Sequence, residues 1–424
     1  MPGKVGLLVG GGPAPGINSV LGAATIRACL SGFDVVGLTD GFYHLLRGDS
    51  TKWVPLGIAE TGRIHFRGGS HIGISREGPG GDVAKVDRII AALGAIGVDK
   101  LVVIGGDGTG SAAAAVHARA NGAVRTIHVP KTIDNDLDLP DEAPTFGYQT
   151  ARHHGVEVAR SLMVDAKTTS RWFFAVTMGR KAGHLALGIG KSVGATLTLI
   201  PEEFAGTRVT LNLLVDVLAG AVIKRLAHGR RDGIAVLAEG LVTLLDPEEL
   251  ARIGTVSRDV YGRVHLGEVP LGDILKRRVE ERLSSFGVTT PIVAKTFGYE
   301  LRCVDPVPFD MELTRDLGYG AVKLLTEDGG GATVSMQRGR LTAIPYSEMI
   351  DPTTRRMRLR VVDVTSHRYL IARTYMIRLR AEDFADPDEL ARLARAANTT
   401  VDVVRRQLEH VVRAHPAVPA GLVT

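Results

Sequence analysis

Short apolar runs alternating with helical stretches constrain this chain more than any other feature. Residues 5–9, 101–104, 127–129, 172–177, 196–200 and 233–238 are continuous and rich in β-branched side chains, and most end in Gly, Pro or Glu. Apolar runs without polar alternation are strands buried on both faces, the condition of a parallel sheet. Between them, residues 83–93 and 211–227 carry helical spacing. This alternation predicts open, doubly wound α/β sheets with mostly parallel strands. Ligands of such sheets bind beyond the carboxyl ends of the strands, which is where the unusual residues of this sequence fall.

At 424 residues the chain exceeds one ordinary core, and 45% apolar with 23% charged residues is the profile of a globular enzyme. The formal charge of +5 is spread along the chain, without an arginine-rich arm or aromatic interleaving, so it argues for anionic small substrates and against nucleic acid. Cys29 and Cys303 make no disulfide or metal framework and read as buried thiols of a reducing compartment. The sequence opens directly into the run at 4–9, and no apolar stretch is long enough to span a bilayer, which predicts a cytoplasmic protein without membrane contact. Beyond about Tyr346 the character changes. Residues 352–380 are strand-like and basic, with Arg355-Arg356-Met357-Arg358-Leu359-Arg360 alternating as a strand with a solvated face. Residues 387–412 predict two amphipathic helices, the second starting near Thr400. This tail carries no legible chemistry.

Three loops do. Gly10-Gly11-Gly12-Pro13-Ala14-Pro15-Gly16-Ile17-Asn18 follows a strand and precedes a helix, where glycines let backbone approach a phosphate and the helix N-terminus offers free N–H groups. Its spacing fits neither GxxxxGK[ST] nor a clean GxGxxG. Gly105-Gly106-Asp107-Gly108-Thr109 ends another strand, and an acidic residue among glycines suits a Mg²⁺–polyphosphate complex. Pro130-Lys131-Thr132-Ile133-Asp134-Asn135-Asp136 follows a third strand; two carboxylates two apart point the same way in an extended segment. One can accept a hydroxyl proton while the other holds the metal or tunes its neighbour.

GGDGT alone also resembles NAD kinases and lipid kinases. Followed by TIDND, it resembles the phosphofructokinase family, and the resemblance runs in order through residues 4–350. Met178-Gly179-Arg180 matches the family's MGR motif, whose arginine faces the transferring phosphoryl group. Arg171 matches an arginine lent to a neighbouring subunit's sugar-phosphate site, Glu239 a carboxylate that holds sugar hydroxyls, and Arg76 a donor-phosphate arginine. Phe297-Gly298-Tyr299-Glu300-Leu301-Arg302 matches the sugar-phosphate loop, with Tyr299 where many bacterial members have His. The resemblance therefore implies two Rossmann-like lobes: residues 1–150 for donor phosphate and Mg²⁺, 151–310 for the sugar phosphate, 311–350 as a return segment on the first lobe, and 351–424 as a C-terminal extension. It implies a homodimer or homotetramer that phosphorylates the 1-hydroxyl of fructose 6-phosphate, with sedoheptulose 7-phosphate an open alternative acceptor. Asp134 would be the base, Thr132 and Asp136 its orienting groups, and Asp107 the Mg²⁺ ligand. Gly11, Gly12, Arg76, Gly108 and Thr109 would receive donor phosphates; Arg180 and Lys131 would stabilise transferred charge; Arg171, Met178, Gly179, Glu239, Tyr299 and Arg302 would hold the sugar phosphate. Retention of Asp107, Asp134, Asp136 and Arg180 argues against a non-catalytic regulatory subunit.

Departures from the family pattern bear on control and on the sugar-phosphate loop, and two further positions bear on the donor. Gly22 and Ile26 stand where bacterial allosteric members carry effector arginines, and Val293 replaces another expected arginine, with Lys295 nearby. Pyrophosphate-using members usually have Asp directly after the metal-binding Asp, where it repels the α-phosphate of ATP; here that residue is Gly108. Lys131, in contrast, is typical of pyrophosphate enzymes. Because a blocking group is close to obligatory for excluding ATP while a cation suits either donor, this reading takes ATP as the donor and pyrophosphate as the alternative.

Overall fold

The buried runs become strands in the computed structural model, which describes residues 3–206, 208–246, 249, 269–327 and 329–413. The chain opens as β1 (Lys4–Val9), α1 (Ile17–Leu30), β2 (Asp34–Leu38), β3 (Trp53–Pro55), α2 (Val83–Ile96), β4 (Val98–Gly105), α3 (Asp107–Ala120), β5 (Arg125–Thr132) and β6 (Phe146–Gly147). Helix α4 (Tyr148–Thr169) leads into β7 (Trp172–Thr177), α5 (His184–Val193), β8 (Leu197–Leu199), α6 (Leu211–Ala227), β9 (Gly233–Ala238), α7 (Leu271–Ser284) and β10 (Ile292–Phe297). Then come α8 (Pro308–Glu327), β11 (Ala332–Gln337), β12 (Arg340–Pro345), α9 (His367–Tyr375), α10 (Pro387–Ala396) and α11 (Val401–Leu408). Two units result: residues up to 153 with 299–360, and residues 154–298 with those from 361 on. Residues 299–310 therefore belong to the first unit, and the tail is divided between the two.

In the first unit an eight-stranded sheet runs β12-β11-β5-β4-β1-β2-β3, with β6 beside β5. Its centre, β5-β4-β1-β2, is parallel, and β3 and β12 are antiparallel edges. The pleat sends alternate side chains to opposite faces. Leu8, Leu101 and Val103 pack with Ile89, Leu93 and Val116 of α2 and α3. Leu7, Val9, Val102, Ile104 and Val129 pack with Ile17 and Leu21 of α1 and Leu317 and Leu325 of α8. Both faces are covered, which is why these runs carry no polar alternation. Gly22 is buried in α1, and a Cβ there would lie 2.8 Å from the Thr61 carbonyl oxygen. No arginine fits at that position without moving backbone.

The second unit holds a four-stranded parallel sheet, β10-β7-β9-β8. Most of the tail is knitted to it. Arg378 donates twice to Glu203 Oε2 (2.9 Å each), both side chains being almost fully buried, and Lys224 pairs with Asp383 at 2.7 Å. The two amphipathic helices appear as α10 and α11, the latter starting after Thr400. The strand expected within 352–380 does not form. Met357 is buried but Leu359 is half exposed, so the alternation has no apolar side, and only isolated bridges, Leu137 with Leu359 and Ile350 with Met357, remain. Further on, Ser366 caps α9. The cysteines also differ from expectation: Cys29 is half-buried and Cys303 exposed, both as free thiols.

Candidate active site

Because β1, β4 and β5 are parallel neighbours, their carboxyl ends bring three loops to one edge of the first sheet. Gly10 N–H donates to the Ile104 carbonyl (2.8 Å) and Gly11 N–H to that of Ser75 (2.8 Å), so Arg76 is tied in directly beside the glycine loop. Gly11 (φ 87°) and Gly16 (φ 101°) occupy left-handed backbone that a side chain would strain. Lys131, near the end of β5, is only 3% exposed, and its ammonium donates to the Gly12 carbonyl. The same Nζ lies 3.2 Å from where a Cβ on Gly11 would be. A Cβ on Gly12 would collide with Nη2 of Arg302.

Arg302 is buried, with its guanidinium 5.3 Å from the centre of the exposed Tyr299 ring. Burial lowers its pKa first, and the neighbouring Arg76 guanidinium lowers it further; the carboxylate of Asp134 is among the groups acting in the other direction. Arg76, Lys131 and Arg302 thus gather three cations around one glycine loop, with Asp134 in electrostatic reach. Like charges held together in a partly desolvated site are poised for an anion that they share.

The TIDND segment is not extended, as its spacing had suggested. Asn135 has φ 56°, a left-handed turn between the two carboxylates, which breaks the period-two geometry. Asp134 and Asp136 are nonetheless both buried, at 8% and 5% exposure. Thr132 Oγ1 accepts the Asp134 N–H (3.0 Å), and the Thr132 carbonyl accepts the Thr145 hydroxyl (2.9 Å). Asp107 opens α3, where the helix dipole favours a carboxylate. Gly108 is exposed and a Cβ there would meet nothing within 4 Å. Thr109 is buried against Gly10 and Gly105, in space that only glycines leave open. It packs the two loops together.

In the second unit, Met178, Gly179 and Arg180 follow β7. Arg180 is exposed at φ 52°. Glu239, 6% exposed at the end of β9, accepts the N–H groups of Gly179 (3.1 Å) and Arg180 (2.8 Å) on Oε1. A buried carboxylate accepting two backbone donors fixes a strained turn that Arg180 alone would relax. Arg171 is half-buried, with Nε 3.7 Å from Asp165 Oδ1. Val293 is half-buried and Lys295 exposed on β10.

Two residues carry positioning contacts that the sequence does not assign to them. Asn18, buried in the first turn of α1, donates to the carbonyls of Arg67 (3.2 Å) and Gly68 (3.0 Å) and accepts the His71 N–H (2.7 Å). It staples the loop that leads to Arg76; an Asn just inside a helix after a glycine loop was the available signal. Arg360 binds Asn135 through Nε (2.9 Å) and Nη2 (2.6 Å), a contact across 225 residues for which no local signal exists.

Comparison with known proteins settles the lineage: the family model described as phosphofructokinase matches residues 4–325. The chain belongs to the phosphofructokinase family. It is accordingly a phosphotransferase with an alcohol acceptor. It is 48% identical over 392 residues to the pyrophosphate–fructose 6-phosphate 1-phosphotransferase of Thermotoga maritima, spanning 91% of this chain and 93% of the relative. With the enzyme of the same name from Naegleria fowleri it shares 42% identity, spanning 96% of each. The relative named ATP-dependent 6-phosphofructokinase 3 from Streptomyces coelicolor is 29% identical, over 82% of this chain and 95% of its own. The fold superposes on a pyrophosphate-dependent phosphofructokinase of Nitrosospira multiformis with a TM-score of 0.66 at 15% identity, covering 97% of this chain and 92% of that one. These identities overturn ATP as the favoured donor. The physical error was to let Gly108 decide: open space permits a nucleotide but does not select one.

Among the described residues, no helix is long and apolar enough to cross a membrane.

Proposed function

We propose that this protein transfers a phosphoryl group reversibly between pyrophosphate and the 1-hydroxyl of fructose 6-phosphate. The observation that carries the reading is Lys131, whose buried ammonium is fastened to the Gly12 carbonyl within the donor loop. A leaving phosphate has no nucleoside to anchor it and must depart with its charge compensated, which a fixed cation supplies without reorganisation. The names of the relatives at 48% and 42% identity support the same donor.

In this reading Asp134 takes the proton of the acceptor hydroxyl, with Thr132 and Asp136 orienting it. Gly11, Gly12, Arg76 and Gly108 receive the donor phosphates, Thr109 acting through loop packing. Arg302 and Tyr299 serve the sugar phosphate. Arg180 offsets charge on the transferring group. Asp107 would hold Mg²⁺. Among the described residues there is no cluster of three His, Cys, Asp or Glu forming a protein cage, which fits a cation that keeps waters and takes its other oxygens from substrate phosphate. Bound there, the ion would neutralise phosphate charge. By its match to the family, Arg171 is read as lent to a partner copy, so the proposed working form is a homodimer or homotetramer, and the proposed location is the cytoplasm.

The test is to offer pyrophosphate and ATP separately with fructose 6-phosphate and Mg²⁺ and to compare kcat/KM. A pyrophosphate preference of at least tenfold is expected. Equal use of both, or an ATP preference, removes the role given to Lys131.

A further inference from the structure

The segment 350–360 lies beyond the stretch matched by the family model, yet it is built into the first unit beside both acidic loops. Its backbone is tied down at successive points. Met357 N–H donates to Ser111 Oγ (3.0 Å), and Ser111 Oγ donates to the carbonyl of Asp107 (2.8 Å). Asp138 N–H donates to the Arg358 carbonyl (3.2 Å), and Arg360 N–H to that of Asp136 (2.8 Å). The segment is thus a strap running from the first turn of α3 to the TIDND turn.

At its end the Arg360 guanidinium reads that turn. Nε donates to the Asn135 carbonyl (2.9 Å), and Nη2 donates to Asn135 Oδ1 (2.6 Å) and to the Ala143 carbonyl (2.9 Å). Asn135 Oδ1 also accepts the Thr145 N–H at 3.2 Å. A planar fork that binds the carbonyl and side chain of one residue fixes its backbone as well as its position. At φ 56° Asn135 is in left-handed backbone, which Asn adopts more readily than other side-chain-bearing residues but not exclusively, and the fork selects this conformation over the negative-φ alternatives. Relaxing Asn135 to negative φ would rotate Asp134 and Asp136 relative to each other.

We infer that Arg360 is a positioning residue for phosphoryl transfer: its fork on Asn135 holds the left-handed turn that aims Asp134 and Asp136, while the strap links that turn to the Asp107 loop. The inference rests on the proposed function, in which these aspartates carry the chemistry. Arg360 acts through Asn135 and acquires its role from the fold, since nothing in its own neighbourhood of sequence marks it.

The test measures Arg360→Gln, Arg360→Lys, Asn135→Gly and the Arg360→Gln/Asn135→Gly double variant with fructose 6-phosphate and pyrophosphate. Misplacement of a reacting group by about 1 Å can slow a reaction about 100-fold, so Arg360→Gln should lose about 10- to 100-fold in kcat while KM for both substrates stays within about threefold. Arg360→Lys, retaining a donor but not the fork, should recover part of the loss. The double variant should be no slower than the slower single one, because both act on one turn. A buried core control, Leu93→Ala, should lower the melting temperature and leave kcat near wild type. The inference is overturned by wild-type kcat in Arg360→Gln, by fully multiplicative losses in the double variant, or by a kcat loss in Leu93→Ala that matches Arg360→Gln at equal melting temperature. If Arg360→Gln does not fold, Arg360→Lys decides by the same kcat and KM criteria. Failure of the unmodified protein to use pyrophosphate would instead remove the proposed function itself.

Discussion

Replacing Lys131 by Met removes the ammonium while keeping an unbranched side chain of similar length. In the folded protein this side chain is 3% exposed, bonded to the Gly12 carbonyl and close to Gly11. A unit charge about 4 Å from a phosphate charge is worth about 4 kcal/mol at an effective dielectric constant near 20, and removing one preorganised donor from a site of developing charge costs about 2.7–4 kcal/mol. Both routes give a loss of about 10²- to 10³-fold in kcat/KM for pyrophosphate. The effect on stability should be much smaller. The Gly12 carbonyl loses a donor worth about 1–3 kcal/mol, but the burial penalty of an ammonium disappears with it. The assay is initial-rate formation of fructose 1,6-bisphosphate across a range of pyrophosphate concentrations, with the phosphate-dependent reverse reaction run in parallel. Because the equilibrium constant belongs to the reactants, the reverse direction should lose by the same factor as long as sugar-phosphate binding is unchanged. A forward kcat/KM within threefold of the unmodified protein would refute the argument that this ammonium serves the leaving phosphate.

Asp134→Asn keeps the shape of the base but cannot take a proton, and kcat should fall by about 10²- to 10⁴-fold with an unchanged melting temperature; near-normal turnover would sink its assignment. Gly12→Ala puts a Cβ into the space of Arg302 Nη2; the flexible guanidinium should yield, raising KM for fructose 6-phosphate about tenfold in a folded protein, and an unchanged KM would separate Arg302 from the sugar phosphate. His128 is fully buried, with Nε2 donating to the Gly105 carbonyl (2.7 Å) and Nδ1 accepting from Thr333 (3.1 Å). Burial, opposed by that carbonyl and reinforced by Lys131, holds its pKa down to about 4 from 6.5. Between these values the unfolded chain binds the extra proton, so His128 stabilises the fold fully above pH 6.5, and about 3 kcal/mol is lost as pH falls towards 4. Denaturant melts at pH 7.5 and 4.5 should show this drop, and His128→Gln should shrink it; an equal drop in both proteins would assign it to other groups.

The strands, the parallel sheets and the three glycine- and aspartate-bearing loops at the strand ends were legible in the amino-acid sequence because each is a local property. An apolar run long enough for one strand, closed by Gly or Pro, specifies a buried strand and its turn without reference to anything distant. The order of GGDGT, TIDND, MGR and GYELR identified the family in the same way. What the sequence misjudged involved contacts that spacing does not encode. TIDND reads as extended, but Asn135 turns left-handed with Thr145 and Arg360 holding it there and Thr132 accepting the N–H of the preceding Asp134. The basic run 355–360 alternates like a strand, but it is drawn out as a strap by Ser111, Asp136 and Asp138. Thr109 belongs to the phosphate loop by position and to the packing of two glycine loops by structure. The donor differs from expectation because Gly108 outweighs Lys131 in the sequence, whereas the identities of 48% and 42% to pyrophosphate-using relatives reverse that ranking. Gly108 faces open space, while Lys131 is buried and fastened to Gly12, 119 residues away. Local sequence thus determined the elements and the lineage, since these depend on a few neighbouring residues. The aim of the carboxylates and the siting of the cations were decided by tertiary structure, because electrostatic strength depends on burial and distance, and both are set by residues far apart in the chain.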